Sequence, residues 1–480
     1  MNILIVGNGF DLSHYLPTKY DHFMDVMRAI IKKDLGKPIQ DVFNNSVDTF
    51  PELISKVLDI KSALDEKSYQ MNFNELFFKS RDIKFINKTK QIYDTTAIVV
   101  DFEDLVEFQY KLKQNCWFQY FNNHVEKIKT WIDFEIKIEE VLGSFGKLIN
   151  SIDSNNLDFN NLDLNLYDFL DKNCIKVLEH FPIFKEVGGV YKVNGKNFAV
   201  PKQLYLNSKF CHGEAVTNGF SSSSFLEYLI RQLDDFIEIF NSYLELIIDK
   251  LKPLKKLELF MESKSLLELG ENCWMEPNVI YSFNYTNTYQ RLHNLVRTEY
   301  LHGSHGENQN IVLGISDLDD DTLKKIKAFG FTKYHQKLFK DTDYLFLDIY
   351  KKKIKQHNLK IEYFEKDFGD SDPTAKKLAR QNLMDVDSKL NLNVQVWGHS
   401  LDVSDKDYII DLFSLNDDMD RNVRVIIFYF DKQAKFSLLN NLLAILGKDK
   451  VEQWMKNKWL EFKPNPEVKF EVDSNLEEAS

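Results

Sequence analysis

Apolar and polar positions along this chain fall into two textures. Short apolar runs of strand length occur at the start and again after Pro277, whereas residues from about 20 to 270 read mainly as helix and polar loop. The first run, Ile3–Val6, is apolar and β-branched, as in a strand buried on both faces of a parallel sheet. Further strands are predicted at Val279–Phe283, Tyr300–His302, Ile311–Gly314, Val394–Gly398 and Val423–Phe430, and a helix at Leu438–Leu446. Between the first two strands the clearest helix runs from Phe225 to about Lys252. Phe225, Leu229, Leu233, Ile237, Phe240, Leu244 and Ile248 recur there at helical spacing. Ser224 with Glu227 is a candidate capping box, and Pro253 supplies the stop. A second helix is predicted to begin at Thr130, with Trp131, Phe134, Ile138 and Leu142 on one face. Residues 150–165, rich in Asn, Asp and Leu, read as an irregular loop.

Joining the opening strand to the later ones predicts an α/β protein. Its core is a Rossmann-like parallel sheet, with a large, mainly α-helical insertion between strands one and two. The core takes in residues 1–25 and 275–450 and the insertion residues 26–274. A smaller polar insertion covers 317–390, and residues 451–480 are a C-terminal extension with a frayed end. The acidic run Asp317–Asp321 and the basic run Lys351–Lys353 read as solvated surface.

Composition narrows the class. The 480 residues include 38 Phe and 21 Tyr, enough for a large core, and the net charge of −12 argues against broad nucleic-acid binding. No apolar run approaches the roughly 18–20 residues of a membrane span. No secretory signal is evident, so a cytoplasmic location is expected. Cys116, Cys174, Cys211 and Cys273 are far apart, which disfavours a clustered zinc site, and they are expected to be reduced.

Candidate chemistry lies at the strand ends, where a doubly wound sheet binds its ligands. Ile3–Val6 is followed at once by Gly7-Asn8-Gly9, and then by Phe10, Asp11 and Leu12, which open a helix. A strand, a glycine turn and a helix start make an anion site if free N–H groups point outward. The pattern Gly7-x-Gly9-x-x-Leu12 lacks the third glycine of the dinucleotide fingerprint. Asn284, after the second strand, offers a donor and an acceptor; read alone it is a turn residue. His302, followed by Gly303, can serve as a base near neutral pH; read alone it is a structural histidine, and His305 competes for the role. Gly398-His399-Ser400-Leu401-Asp402, with Asp405 beyond, could hold a ribose or phosphate or simply cap a helix.

Several blocks closely resemble the bacteriophage abortive infection AbiH family. They are GNGFDLSHYLPTKYDHF (Gly7–Phe23), Trp131–Glu135, SFNYTNTY (Ser282–Tyr289), YLHGS (Tyr300–Ser304) and GHSLDVSD (Gly398–Asp405), in the family's order over nearly the whole chain. That resemblance implies a bacterial phage-defence effector. More distantly, the same blocks are similar to sirtuin-like domains of bacterial defence, whose corresponding blocks line a NAD pocket. The resemblance implies Asn284 and His302 as catalytic residues and Gly7, Gly9, Ser400 and Asp402 as nucleotide-binding residues. Asp11 is added to the catalytic candidates, and Asn8, Phe10, Gly398 and His399 to the nucleotide-binding ones; no metal is expected. Two departures stand out: Asp11 lies near the place of a serine in the sirtuin-like pattern, and Thr286 stands in place of an acid. The four-cysteine zinc module of deacylating sirtuins has no counterpart, which disfavours protein deacylation.

The resemblance implies NAD as ligand, cleaved at its nicotinamide N-glycosidic bond. Asn284 would position water or the ribose, His302 would accept a proton, Asp11 would steady the developing cation, and the glycine turn would hold the pyrophosphate. A phage-derived trigger and a homo-oligomer are the expected partners. Two other readings stay open: a nucleotide-sensing module that signals without turnover, and a metal-dependent nuclease using Asp11, Asp133 and Glu135. Trp131 and Glu135 share a helix face while Asp133 points elsewhere. The helix could reach over the pocket and supply an acid. The favoured alternative is a capped helix, with Thr130 as N-cap and Trp131 in the core. Pro17–Tyr20 reads either as a loop lid or as a boundary between two helices.

Overall fold

A computed structural model describes residues 1–44, 50–61, 69–124, 131–155, 165–193, 196–261, 274–342, 345–367, 373–382 and 388–470. Six strands form its principal sheet: β1 (Asn2–Val6), β2 (Val279–Ser282), β3 (Thr298–Tyr300), β4 (Leu392–Trp397), β5 (Val423–Tyr429) and β6 (Leu460–Pro464). Their order is β3-β2-β1-β4-β5-β6, and every neighbouring pair is parallel. The protein is therefore mixed α/β with a parallel sheet, as its patterning predicts.

β1 lies inside the sheet, with Ile3 opposite Val279 on one side and Val394 on the other. Its four apolar residues are buried because both faces are covered. Ile3 and Ile5 pack with Val394, Val396, Val425 and Ile427, while Leu4 and Val6 pack with Ile280, Trp397 and Phe428. This explains why the run is continuously apolar rather than alternating. The strand order reverses beside β1: the chain first adds β2 and β3 on one side and then returns to add β4 on the other.

The helices that shape the site are α1 (Asn8–Ser13), α2 (Tyr20–Lys32), α3 (Trp131–Asn155), α4 (Ser222–Tyr243) and α5 (Lys333–Phe339). Helices α2, α3 and α4 contribute to one large apolar core, where Phe23 meets Phe236, Phe240 and Tyr243 edge-on and Phe134 stacks on Phe236. Ile311, Leu313, Ile315 and Phe331 join the same core, so the chain after β3 is tied to the helical stretch before β2.

Several expectations are corrected. Ile311–Gly314 is not a strand: the Val312 N–H donates to His302 O and the Leu313 N–H to the Gln336 side chain, so the segment lies along loops instead of the sheet. The third strand ends at Tyr300, leaving His302 beyond it. Helix α4 is capped by Ser221, whose hydroxyl accepts from Ser224 N–H, instead of by Ser224; it ends at Tyr243 and passes into a wider π turn over Leu244–Ile248. Helix α3 runs to Asn155, past the predicted loop start; Thr130 and Cys273 lie outside the described residues. Within the stretch read as helix and loop stands an antiparallel hairpin, Phe184–Val193 with Lys196–Leu206. The Asn194-Gly195 dipeptide between those strands is a hairpin signal. The expected C-terminal extension supplies β6, the sheet's last strand.

The turn after β1 and the turn after β4 meet backbone to backbone. A Cβ on Gly7 would lie 2.6 Å from His399 Cα, and one on Gly9 2.7 Å from Gly398 Cα. One on Gly398, whose φ is +73°, would lie 2.1 Å from Phe10 N. Such contacts exclude any side chain. Gly398→Ala is expected to lower unfolding free energy by ~3 kcal/mol or more, combining overpacking with backbone strain. Gly143→Ala, inside α3 with open space around the added methyl, should instead stabilise by about 0.5–1 kcal/mol. Urea unfolding of both variants checks the contrast.

Candidate functional site

The meeting of the two turns forms one side of a cavity of about 300 Å³. It opens at the carboxyl ends of β1, β2 and β4, where the strand order reverses. Gly7, Asn8, Asp11, Asn284, His302, Gly398, His399 and Ser400 all line it, although they come from three distant parts of the chain. Phe10 and Asp402 do not. Phe10 is buried among Trp397, His14 and Tyr289 in the core on one sheet face. Asp402 caps a short turn by accepting from the Ser404 N–H. Gly9 lies within the contact between the turns rather than on the cavity wall.

The turn's amides are already engaged. Gly7 N–H donates to Trp397 O, Gly9 N–H to Gly398 O at 2.9 Å, and Phe10 N–H to Gly7 O at 2.8 Å. These glycines serve the close approach of two backbones, and those three N–H groups are not the free donors that the sequence pattern suggested. The following segment is clamped too. Tyr93 OH donates to His14 O, Thr89 OH to Tyr15 O and Tyr243 OH to Pro17 O. Thr18 donates to Asn8 Oδ1 at 2.7 Å, so the block at Pro17–Tyr20 is a pinned wall.

Asp11 is buried, and its Oδ2 accepts from Thr286 Oγ1 at 2.6 Å; Thr288 in turn donates to Thr286. Among the described residues its Oδ1 has no hydrogen-bond partner. Burial pushes the Asp11 carboxyl up to about 6, against the lowering effect of Thr286, Thr288, Asn284 and Arg291. The Asn284 side-chain amide donates to Gly7 O at 3.0 Å, linking the second strand's end to the glycine turn.

A charge cluster that sequence reasoning only brushed also lines the cavity. Asp405 is buried, with Lys333 Nζ at 3.2 Å, His302 Nε2 at 3.2 Å and His399 Nε2 at 3.3 Å. Lys333 also pairs with Glu135 at 2.9 Å. His399 Nδ1 accepts from the Leu401 N–H, so its hydrogen sits on Nε2 and points to Asp405. Burial opposes ionisation of Asp405, yet Lys333 and the two imidazoles hold it well below the ordinary carboxylate range. Burial lowers His302 to about 3 despite Asp405, so the ring is neutral at physiological pH. Burial raises Glu135 to about 7 against the pull of Lys333. Glu135 thus projects from α3 onto the cavity wall, the less favoured of the two readings of that helix. Lys333 was missed because it falls in a stretch that reads as polar surface. His305 is not in the cavity: its Nε2 pairs with Asp249 at 2.8 Å.

Comparison with known families decides the relationship. The profile of the bacteriophage abortive infection AbiH family matches residues 3–429. The chain belongs to the AbiH family. Membership supports a part in abortive infection, the defence in which phage infection is aborted at the level of the infected cell. Comparison with curated proteins and with solved structures finds no match. No helix among the described residues is long and apolar enough to cross a membrane. Nor do three or more His, Cys, Asp or Glu side chains among them form a group that could hold a metal ion.

The raised pKa of Asp11 has a signed consequence for this AbiH protein. A carboxyl that titrates higher folded than unfolded stabilises the fold below its unfolded pKa and loses that contribution as pH rises through the folded value. The window here is from 3.8 to about 6, worth about 3 kcal/mol in full. Asp11→Asn keeps an acceptor for Thr286 and removes the titration. Wild type should therefore lose stability relative to this variant as pH is raised across that window, measured by urea unfolding at several pH values.

Proposed function

We propose that this protein is an abortive-infection effector whose cavity takes NAD or a related nucleotide and hydrolyses its N-glycosidic bond. The observation that carries the reading is the cavity at the reversal of strand order, with Asp11 buried on its wall and one carboxylate oxygen without a partner. The order of the six strands is that of a doubly wound dinucleotide-binding sheet, which supports a Rossmann-like core bearing a helical insertion. The Asp11–Thr286 hydrogen bond supports the sirtuin-like comparison as well. The two departures from that pattern pair with each other, so an acid and a hydroxyl are kept with their segments exchanged.

In this reading water adds to the ribose C1′ as the bond to the nicotinamide nitrogen breaks, and the water's proton passes to His302. Neutral imidazole is the form able to accept it, and Asp405 would steady the imidazolium. Asp11, Glu135 and Asp405 line the cavity with two lysines, Lys333 and Lys19, and Lys19 is paired with Asp82 at 2.7 Å, so acids outnumber the remaining lysine, a polarity suited to positive charge at the glycosidic end of a ligand. Ser400 and Asn8 remain for the nucleotide's polar groups. A phage-derived trigger would start the reaction. Exposed Leu338, Phe339, Leu345 and Ile349 would suit a homo-oligomer.

One observation favours sensing without turnover: the Asn284 amide is already committed to Gly7 O instead of being held for a ligand. The full chain incubated with NAD is expected to release nicotinamide, and His302→Ala to slow release by ~10²–10⁴-fold. A rise in melting temperature with NAD but no nicotinamide would favour the sensor. No release and no thermal shift with NAD, ADP-ribose or ATP would remove both readings.

A further inference from the structure

The cavity's charge cluster reaches beyond the residues to which the proposed reaction assigns a task. Its hub is a lysine that is 4% exposed. Lys333 is the first residue of α5, whose N-cap Thr332 accepts from the His335 N–H. Its ammonium lies 2.9 Å from Glu135 Oε1, 3.2 Å from Asp405 Oδ1 and 3.3 Å from Ser404 Oγ. A buried ammonium is tolerated only when its charge is matched, and the carboxyl groups of Glu135 and Asp405 do this. They come from α3 and from the turn after β4, so the lysine joins three separate stretches of chain at one point.

The Asp405 carboxylate is divided between its partners. Oδ2 faces the His399 Nε2–H, while Oδ1 is shared by Lys333 and the neighbouring His302 Nε2. Lys333 therefore sets where Oδ1 sits relative to His302. With Nε2 turned to the carboxylate, Nδ1 is the His302 nitrogen left to take a proton. The other ring contacts, Phe283 edge-on to His302 and tilted against His399, fix the planes of the imidazoles but carry no charge.

We propose that Lys333, held by Glu135, is a positioning residue that acts through Asp405 to aim and electrostatically tune His302. The proposal rests on the reading of His302 as the base of nucleotide hydrolysis, but its physical content is separable from that reading. Around His302 the charged groups are Asp405, Lys333 and Lys337; around Glu135 they are Lys333, Asp405 and Asp402. Removing the Lys333 charge leaves Lys337 as the cation among these groups that still opposes Asp405 at His302.

The test uses the full chain as Lys333→Met, with two readouts. The first is the titration midpoint of His302, followed by NMR on protein with isotope-labelled histidine and assigned with His302→Gln. It should rise by at least ~0.5 unit in Lys333→Met. The second is nicotinamide release from NAD, where kcat should fall by ~10-fold or more with KM within about threefold, the mark of a group acting on the base. Should Lys333→Met fail to fold, Lys333→Met with Glu135→Gln, which removes one of the two stranded carboxylates, takes its place under the same readouts. A folded variant with the wild-type His302 midpoint overturns the proposal, as does one with unchanged kcat. If wild type releases no nicotinamide, the hydrolytic reading fails, and the His302 midpoint alone decides whether Lys333 tunes the ring.

Discussion

The structure depends on a contact that involves no side chains: the turn after β1 pressed against the turn after β4. Gly9 N–H donates to Gly398 O, and the atoms a Cβ would meet at Gly7, Gly9 and Gly398 are almost all backbone. Two neighbouring parallel strands must each shed their following chain at the same edge, and here the chains leave in contact rather than spreading apart. The cavity lies to one side of that contact. Asn284, bonded to Gly7 O, brings the end of β2 to the same place.

Around this contact the polar groups divide into two sets. Asp11, Thr286 and Thr288 form a small hydrogen-bonded set in which burial, with no cation in direct contact among the described residues, dominates the acid's behaviour. Elsewhere in the cavity lining Glu135, Lys333, Asp405, His302 and His399 form a compensated charge cluster. The same burial has opposite results in the two, because the outcome rests on what stands beside each carboxylate. Asp405 has an ammonium and two imidazoles and stays ionised; Asp11 has hydroxyls and is raised.

The helical stretch between β1 and β2 is part of the site rather than an appendage to it. It contributes Glu135, Phe240 and Leu244 to the cavity, and Thr89, Tyr93 and Tyr243 to the clamp on residues 14–17. The polar chain after β3 contributes Lys333. Cavity and helical core thereby share residues.

Much of the sheet was legible from sequence. A parallel strand buried on both faces is mostly apolar, so β1, β2, β4 and β5 announce themselves, and β1, β2 and β4 are each followed by a polar block. β6 escaped because an edge strand exposes alternate residues and ends here in Lys463-Pro464. The Ile311–Gly314 run misled because burial against loops selects apolar residues as strongly as burial in a sheet. Sequence alone also determined the family, since long ordered signatures survive without any geometry. Only the tertiary structure decided that Phe10 packs inward while Asp11 meets Thr286, and that Glu135 faces Lys333. It alone decided that the glycine amides bond to backbone. Those outcomes depend on which groups from distant parts of the chain share a buried volume, and no local pattern encodes that.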